Sequence, residues 1–163
     1  MFDFTELCIR RATSADVAGI VALIDAVYRE YGELLCLEGA DSDLLTAHES
    51  YAARGGEFVV LTDELRILGT HAILPLRPPA VCTFRRLYLD NSLRGQRWGK
   101  QLMNWAIEAA MERGFSRVEF WSDTRFSRAH RFFERQGFTR TGEVRDMHDG
   151  HVPYREYFFS REL

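Results

Sequence analysis

One segment constrains this chain more than any other: an apolar strand that runs into a basic, glycine-containing loop and then a long helix. The strand is predicted over 84–89, a polar turn follows at 90–92, and the loop reads Arg-Gly-Gln-Arg-Trp-Gly-Lys at 94–100. The first N–H groups of a helix lack intrahelical acceptors and carry partial positive charge. Because Gly95 and Gly99 have no Cβ, the backbone can approach a bulky anion closely. The sequence therefore predicts a phosphate site at this helix start.

A second segment, 126–138, predicts a short helix that ends in Gly-Phe. Gly137 suits the left-handed position that closes a helix, and Phe138 would begin the next strand and pack back on the helix. One helix and one strand separate the two segments.

The order strand, R-G-x-x-x-G, helix resembles the acyl-CoA pyrophosphate loop of the GNAT N-acetyltransferase superfamily, whose pattern is Q/R-x-x-G-x-G/A. Arg94 fills the first slot and Gly99 the last, whereas Arg97 stands where the middle glycine is expected. Arg97 adopts left-handed backbone at a higher cost than glycine, but its guanidinium can add a phosphate contact.

The segment 126–138 is similar to the family's second motif, N-x-x-A-x-x-x-Y-x-x-x-G-F, with Ala129, Gly137 and Phe138 in place. The start of the chain, with IRRAT at 9–13 before a helix, also resembles the family. The resemblance covers about 7–163.

The resemblance implies an α/β chain with the GNAT fold: a mixed, mostly antiparallel central sheet, flanked by helices and splayed between its two central strands. The patterning predicts the element order β-α-α-β-β-β-α-β-α-β-β. It also predicts a final hairpin around Asp149-Gly150, a pair typical of type I′ turns. We see no linker or repeat, so 1–163 is expected to be a single domain.

The resemblance further implies acetyl-CoA as co-substrate. The backbone of Leu87, Tyr88 and Leu89 would pair with the pantetheine arm. The pyrophosphate would lie on the loop formed by Arg94, Gly95, Gln96, Arg97, Trp98, Gly99 and Lys100. Phe126 and Phe133 would line the cofactor from the second motif.

The usual catalytic side chains of the family are missing from this sequence. The glutamate slot four residues before Leu87 holds Thr83, which cannot act as a base, and the tyrosine slot holds Phe133, which cannot donate a proton. Asp123, just past a predicted strand, is the best candidate base. Its alternative role is structural, capping the next helix or closing the turn that precedes it.

Histidines and cysteines add little chemistry. His71 is expected to be a structural histidine within a strand, and His130 to project to the surface away from the cofactor. Cys8, Cys36 and Cys82 are expected to be small core residues. No spacing typical of metal ligands is present, so no metal site is predicted.

Composition sets limits on partners and location. With 46% hydrophobic residues the chain is globular, and no run approaches the ~18 apolar residues of a membrane span. No secretory signal is visible, so a cytoplasmic protein without membrane partners is expected. Residues 1–81 carry a net charge of −7 and residues 82–163 one of +4, which puts the proposed phosphate loop in the basic half. Basic residues form no long run, which disfavours nucleic acid as a partner.

Together these observations predict an N-acetyltransferase that moves an acetyl group from acetyl-CoA to a primary amine by direct transfer in a ternary complex. The acceptor is a small molecule or a peptide amine. The resemblance puts Tyr28, Tyr31, Glu38, Asp41 and Asp43 in the acceptor-facing segment, where they either select a cationic amine or are solvated loop residues. Thr83 and Phe133 leave an alternative open: an acyl-CoA-binding sensor or an inactive partner subunit. A longer acyl donor and a homodimer also fit the resemblance.

Overall fold

A single seven-stranded sheet forms the centre of the molecule, and the computed structural model describes residues 6–163. The strands are β1 (Cys8–Arg11), β2 (Glu57–Thr62), β3 (Ile67–Pro75), β4 (Val81–Leu89), β5 (Arg117–Asp123), β6 (Thr139–Met147) and β7 (Tyr154–Glu162). The helices are α1 (Val17–Arg29), α2 (Ala47–Ala53), α3 (Trp98–Glu112) and α4 (Ser127–Arg135). The predicted element order and the mixed, helix-flanked sheet are confirmed.

The strand order is β1-β2-β3-β4-β5-β7-β6, and only the central pair β4–β5 is parallel. That pair is short: Val81 lies opposite Arg117 and Cys82 opposite Val118, after which the strands separate. β5 instead pairs with β7 along its whole length. The predicted splay is therefore present, and it leaves one edge of β4 without a strand partner after Cys82.

A β-bulge in β4 lies next to this opening. Thr70 of β3 pairs with Tyr88, but Ala72 pairs with Arg85, so His71 faces two residues of β4 rather than one. Arg86 takes up the extra length with a φ of +60°, a conformation that costs a non-glycine residue roughly 1–2 kcal/mol. The bulge reverses the side-chain alternation of β4 at that point.

Each face of the sheet buries a separate apolar core. On one face α3 and α4 pack on β4, β5 and β7, with Met103, Phe120, Phe133 and Phe159 at the centre. On the other face α1 and α2 cover β2 and β3, around Ile20, Leu44 and Phe58. The two cores hold β4 in place while its free edge faces the opening.

The predicted type I′ turn at Asp149-Gly150 is wrong. Met147 pairs with Tyr154, so residues 148–153 form a longer loop, and neither Asp149 nor Gly150 has a positive φ. This loop packs on the segment before α2 instead of closing a tight hairpin. The Ala40 N–H donates to the carbonyl of Asp149 (3.0 Å), and a Cβ on Gly39 would lie 2.4 Å from that carbonyl oxygen.

The cysteine prediction holds for Cys82, which is buried, but is wrong for Cys8, which is exposed, and Cys36 is half-buried. Cys8 lies on the edge strand β1, where the apolar neighbours in sequence do not enclose it. No helix among residues 6–163 is long and apolar enough to cross a membrane.

Candidate active site

The opening between β4 and β5 forms a cleft of about 260 Å³. One wall is the free edge of β4, the other is β5 with β7 beyond it, and α4 closes the end. We call the face of the cleft that carries α1 and the 148–153 loop the acceptor side, and the face that carries α3 and α4 the cofactor side.

The free edge of β4 is the part of the cleft suited to an extended ligand. Leu89 and Tyr88 pair with Gly69 and Thr70 of β3, and no strand among residues 6–163 pairs with their other edge. An unpaired strand edge presents a row of backbone donors and acceptors to an incoming chain. The sequence-predicted residues Leu87, Tyr88 and Leu89 therefore lie where a pantetheine arm could pair.

The loop at 94–100 lies at the start of α3, as predicted. The backbone N–H groups of residues 97–100 have no acceptor among the described residues, so they remain available to a ligand. Gly95 has a φ of +78° and Arg97 a φ of +67°. Arg97 thus adopts a left-handed conformation, which a non-glycine residue reaches only at an energetic cost.

The charged side chains of this loop differ in their availability. Arg94 donates to Glu30 (2.7 Å), the residue after α1, so it ties the loop to the end of that helix. Arg97 and Lys100 are exposed, as is Gln96. Together with the free N–H groups they give this end of the cleft a positive potential that suits a phosphate.

The second motif forms the end of the cleft. Phe126 is the residue that begins α4, and its ring lies 4.7 Å from that of Tyr31. Phe133 is buried in the core against Phe120, 4.8 Å between ring centroids, while its edge lines the cleft. Gly137 closes α4 with a φ of +87°, as the sequence predicted.

A cluster around the buried Arg86 dominates the acceptor side. The sequence placed Asp41 and Asp43 on this side but missed Arg86, which binds both carboxylates. The Arg86 guanidinium donates to Asp41 (2.9 Å), to Asp43 (3.1 Å from Nε) and to the carbonyl of Ala40 (2.9 Å). Tyr28 donates to Asp41 (3.0 Å) and lies 3.3 Å from the guanidinium. We call Arg86, Asp41, Asp43 and Tyr28 the Arg86 cluster. It binds the segment before α2 to the bulge of β4.

Burial and charge act together in this cluster. Burial by itself would raise the pKa of Asp43, but the Arg86 guanidinium lowers it below its usual value. Burial raises the pKa of Tyr28, which stays a neutral phenol. The available signal was the pair Arg85-Arg86 inside an otherwise apolar strand, since a buried charge requires partners.

The two tyrosines predicted to face the acceptor, Tyr28 and Tyr31, both pack against the ring of Phe126. Tyr28 lines the cleft and its hydroxyl lies 3.3 Å from that of Tyr88. The Tyr31 ring packs at a tilt against Phe126 and does not line the cleft. Because the Tyr28 hydroxyl is hydrogen-bonded within the Arg86 cluster, only the ring of Tyr28 is left to contact a ligand.

Asp123 lines the cleft, but both of its carboxylate oxygens are bonded to Arg125. Oδ1 accepts from the backbone N–H (2.9 Å) and Nε of Arg125, and Oδ2 accepts from Nη2 (2.6 Å). Arg125 also donates to Glu33 (2.9 Å). The carboxylate thus closes the turn before α4, as the alternative reading proposed, although it does not cap that helix.

Glu156 of β7 is a second carboxylate in the cleft that the sequence analysis did not name. Within the described part of the chain only one of its oxygens, Oε1, is bonded, by Nε (2.8 Å) and Nη2 (2.6 Å) of Arg145. The Arg145 guanidinium in turn lies over the ring of Trp121, 4.4 Å from its centroid. Burial raises the pKa of Glu156 above its usual value, against the opposing effect of Arg145.

Two histidines border the cofactor side. His71 is buried, its Nδ1 lies 3.1 Å from the carbonyl of Arg85, and Nε2 has no partner among the described residues. Burial lowers the pKa of His71 to about 4, so the ring is neutral at pH 7 and Nδ1 carries the proton. The expectation of a structural histidine fits this placement.

The expectation that His130 projects to the surface is wrong. Its side chain is buried against Phe133, Tyr157 and Phe159, and Nε2 lies 3.1 Å from the hydroxyl oxygen of Ser122. The rings of His130 and Phe133 on α4 both pack on Phe159 of β7, so the position after Ala129 faces the sheet. Burial lowers the pKa of His130 below its usual value.

Among residues 6–163, no three side chains of His, Cys, Asp or Glu lie close enough together to hold a metal ion. The chemistry of the cleft consists of backbone donors, paired carboxylates and guanidinium groups.

A splayed parallel pair, a bulged strand with a free edge and a helix start with free N–H groups are the features expected of an acyl-CoA-dependent transferase of the GNAT fold. Comparison with known proteins agrees: residues 22–138 match the model of the acetyltransferase (GNAT) family. The chain belongs to this family.

Two relatives cover most of the chain. The uncharacterised N-acetyltransferase YjgM of Escherichia coli is 30% identical over 134 residues, 79% of this chain and 80% of its own length. The aminoalkylphosphonate N-acetyltransferase of Salmonella typhimurium is 28% identical over 144 residues, 85% and 90% of the two chains. The protein is an acyltransferase of this family.

Solved structures show the same fold at low identity. An acetyltransferase from Streptococcus agalactiae superposes with a TM-score of 0.81 at 20% identity, covering 98% of this chain and all of that one. YncA of Salmonella typhimurium, solved with its cofactor acetyl-CoA, superposes with a TM-score of 0.75 at 16% identity, covering 97% and 94%.

Proposed function

We propose that the protein transfers an acetyl group from acetyl-CoA to a primary amine within a ternary complex. The observation that carries the proposal is the continuity of two features: the unpaired edge of β4 leads directly into the loop at 94–100, whose N–H groups are free. An extended pantetheine arm on the strand would place the pyrophosphate at the start of α3.

The donor would be positioned mainly by main-chain groups. Leu87 and Leu89 offer their backbone to the pantetheine, while Arg97 and Lys100 add charge at the phosphates. Phe126 and Phe133 line the thioester end. Such positioning, with backbone donors at the thioester carbonyl, supplies much of the catalysis in the absence of an acid side chain.

The acceptor would enter from the acceptor side, past Leu34, Trp121 and Met147. One relative, by its name, acetylates aminoalkylphosphonates. An amine that carries an anionic group fits the mixed charge of this side, where Arg85 also lines the cleft and makes no side-chain hydrogen bond among the described residues. A small amine or a peptide amine of this kind is the class we propose.

Asp123 remains the base predicted from sequence, and the variant Asp123→Asn tests it. A base role predicts a rate loss at neutral pH of about 10²-fold or more that is regained at high pH, with CoA affinity retained. A loss that is the same at every pH, or that follows a loss of stability, assigns Asp123 to the turn that it closes with Arg125.

The proposed activity is tested by release of free CoA from acetyl-CoA in the presence of a panel of amines. The panel contains aminoalkylphosphonates, amino acids, polyamines and short peptides with a free N-terminus, and a parallel set uses longer acyl-CoA donors. We expect turnover with at least one amine, and the acetylated amine in mass spectra. Tight CoA binding without turnover for any amine would favour the sensor alternative.

A further inference from the structure

We infer that Glu156 of β7 accepts the proton of the acceptor amine. The inference rests on the proposed function and assigns the proton acceptance that Thr83, the residue in the family's usual base position, cannot perform. It is carried by the position of Glu156, by its free oxygen and by the contrast with its neighbour Asp123.

Glu156 lies on the acceptor side of the cleft. Its Cα is paired with that of Asp123 on β5 and with that of Arg145 on β6, so the three side chains share one face of the sheet. Trp121, two residues before Asp123, lies on the same face. Glu156 therefore lines the cleft from the wall opposite the free edge of β4.

The two carboxylates of this wall differ in what remains free. Both oxygens of Asp123 are bonded to Arg125, whereas Oε2 of Glu156 has no hydrogen-bond partner among residues 6–163. The Glu156 side chain is 15% exposed, so it is shielded from bulk water while it borders the cleft. Arg145 holds Oε1 and thereby orients Oε2.

Burial and the neighbouring carboxylates favour proton uptake by Glu156. Burial raises the pKa of Glu156, and the negative charges of Asp123 on β5 and Asp149 in the 148–153 loop raise it further. Arg145 on β6 opposes this rise. Tyr154, the neighbour on β7, donates to Asp149 (2.7 Å) and stays neutral because burial raises the pKa of its phenol.

The proposed step balances as follows. An acceptor enters as R–NH₃⁺ and gives one proton to Oε2 of Glu156. The neutral amine attacks the thioester carbonyl, so that a C–N bond forms and the C–S bond breaks. The departing thiolate takes the second nitrogen proton and leaves as CoA thiol. Glu156 then releases its proton to water, so one proton is lost for each amide formed.

The first test is independent of the acceptor. Carboxyl-carbon NMR of protein labelled at glutamate, with the Glu156 signal assigned from Glu156→Gln, follows its titration in the presence of CoA. We expect a pKa above the usual value of about 4.3. A value at or below 4.3 would overturn the inference, whether or not any amine is acetylated.

The second test is kinetic and uses the amine with the highest turnover in the panel. Glu156→Gln keeps an acceptor for Arg145, so we expect kcat/KM to fall by about 10²-fold or more at pH 6.5 and CoA affinity to change less than twofold. The loss should shrink above the pKa of the amine. The matched control, Glu162→Gln, changes an exposed carboxylate of the same strand and should leave the rate unchanged.

The outcomes separate the two proposals. A Glu156→Gln loss that is the same at every pH would assign Glu156 to positioning Arg145 and would overturn the inference. No turnover for any amine with the wild-type protein would contradict the proposed function, and the NMR titration would still decide against Glu156 if its pKa is not raised.

Discussion

The two sides of the cleft are built by different means. On the cofactor side the groups that we propose for the ligand are the main chain of β4 and the N–H groups at the start of α3. On the acceptor side the cleft is lined by charged side chains held in networks, above all the Arg86 cluster and the pair Arg145–Glu156. We therefore expect substitutions to be tolerated better on the cofactor side, where the proposed contacts use the backbone, than on the acceptor side, where they use individual side chains.

The largest effect is expected from Arg86→Ala, which leaves Asp41 and Asp43 buried without their cation. Breaking a buried ion pair on one side typically costs about 3–5 kcal/mol of unfolding free energy. Urea denaturation should show this loss. The control is Arg85→Ala on the same strand, because Arg85 makes no side-chain hydrogen bond among the described residues. Equal stability of the two variants would contradict the role of the Arg86 cluster.

A second prediction concerns pH and His71. Since its pKa is lowered to about 4 in the folded state, the unfolded chain takes up a proton near pH 6.5 and the folded protein does not. The stability that depends on neutral His71 is complete above pH 6.5 and falls by about 1.4 kcal/mol per pH unit down to pH 4. The difference in unfolding free energy between wild type and His71→Leu should shrink over that range. If the unfolding free energies of the two proteins instead change in parallel with pH, protonation of His71 does not destabilise the folded state, and the prediction is wrong.

The third prediction sets backbone approach against side-chain charge in the cofactor loop. A Cβ at Gly99 would meet only the Phe132 ring, at 3.8 Å, so Gly99→Val should fold. It should nevertheless weaken CoA binding about tenfold, because the branched side chain occupies space that the phosphate needs. Lys100→Ala removes one exposed charge, which contributes about 0–1 kcal/mol. If calorimetry finds that Lys100→Ala weakens CoA binding more than Gly99→Val does, the loop binds phosphate through side-chain charge and not through its backbone.

The smallest effect is expected at Arg97. Because Arg97 has a φ of +67°, Arg97→Gly should raise the unfolding free energy by about 1 kcal/mol. CoA affinity should fall slightly, since a guanidinium is lost. Gly95→Ala is the opposite change, since it places a Cβ at a residue with a φ of +78°, and it should lower the unfolding free energy by a similar amount. Thermal and urea unfolding of the two variants measure both shifts.

The fold was predictable from sequence because its signals are local. Strand patterns, the loop at 94–100 and the Gly137 helix end depend on neighbouring residues, and their positions agree with the structure. The error in the last hairpin has a tertiary cause: the 148–153 loop is shaped by its contacts with residues 35–40, which lie far away in sequence.

The acceptor side was less predictable from sequence because it, too, depends on contacts between residues that lie far apart in the chain. Arg86 reaches its partners only because a bulge turns it to the face opposite to the one that alternation assigns. The free oxygen of Glu156 becomes apparent only when Asp123 and Arg145 are placed beside it. His130 was misjudged because the face of α4 that meets the sheet is set by packing.

The central claim, a main-chain cradle for the diphosphate of CoA, is tested most directly by calorimetry with CoA and with pantetheine, which lacks the phosphates. We expect CoA to bind several-fold or more tightly than pantetheine, with a difference that shrinks as salt is added. Equal affinities for the two ligands would contradict the phosphate site at the start of α3.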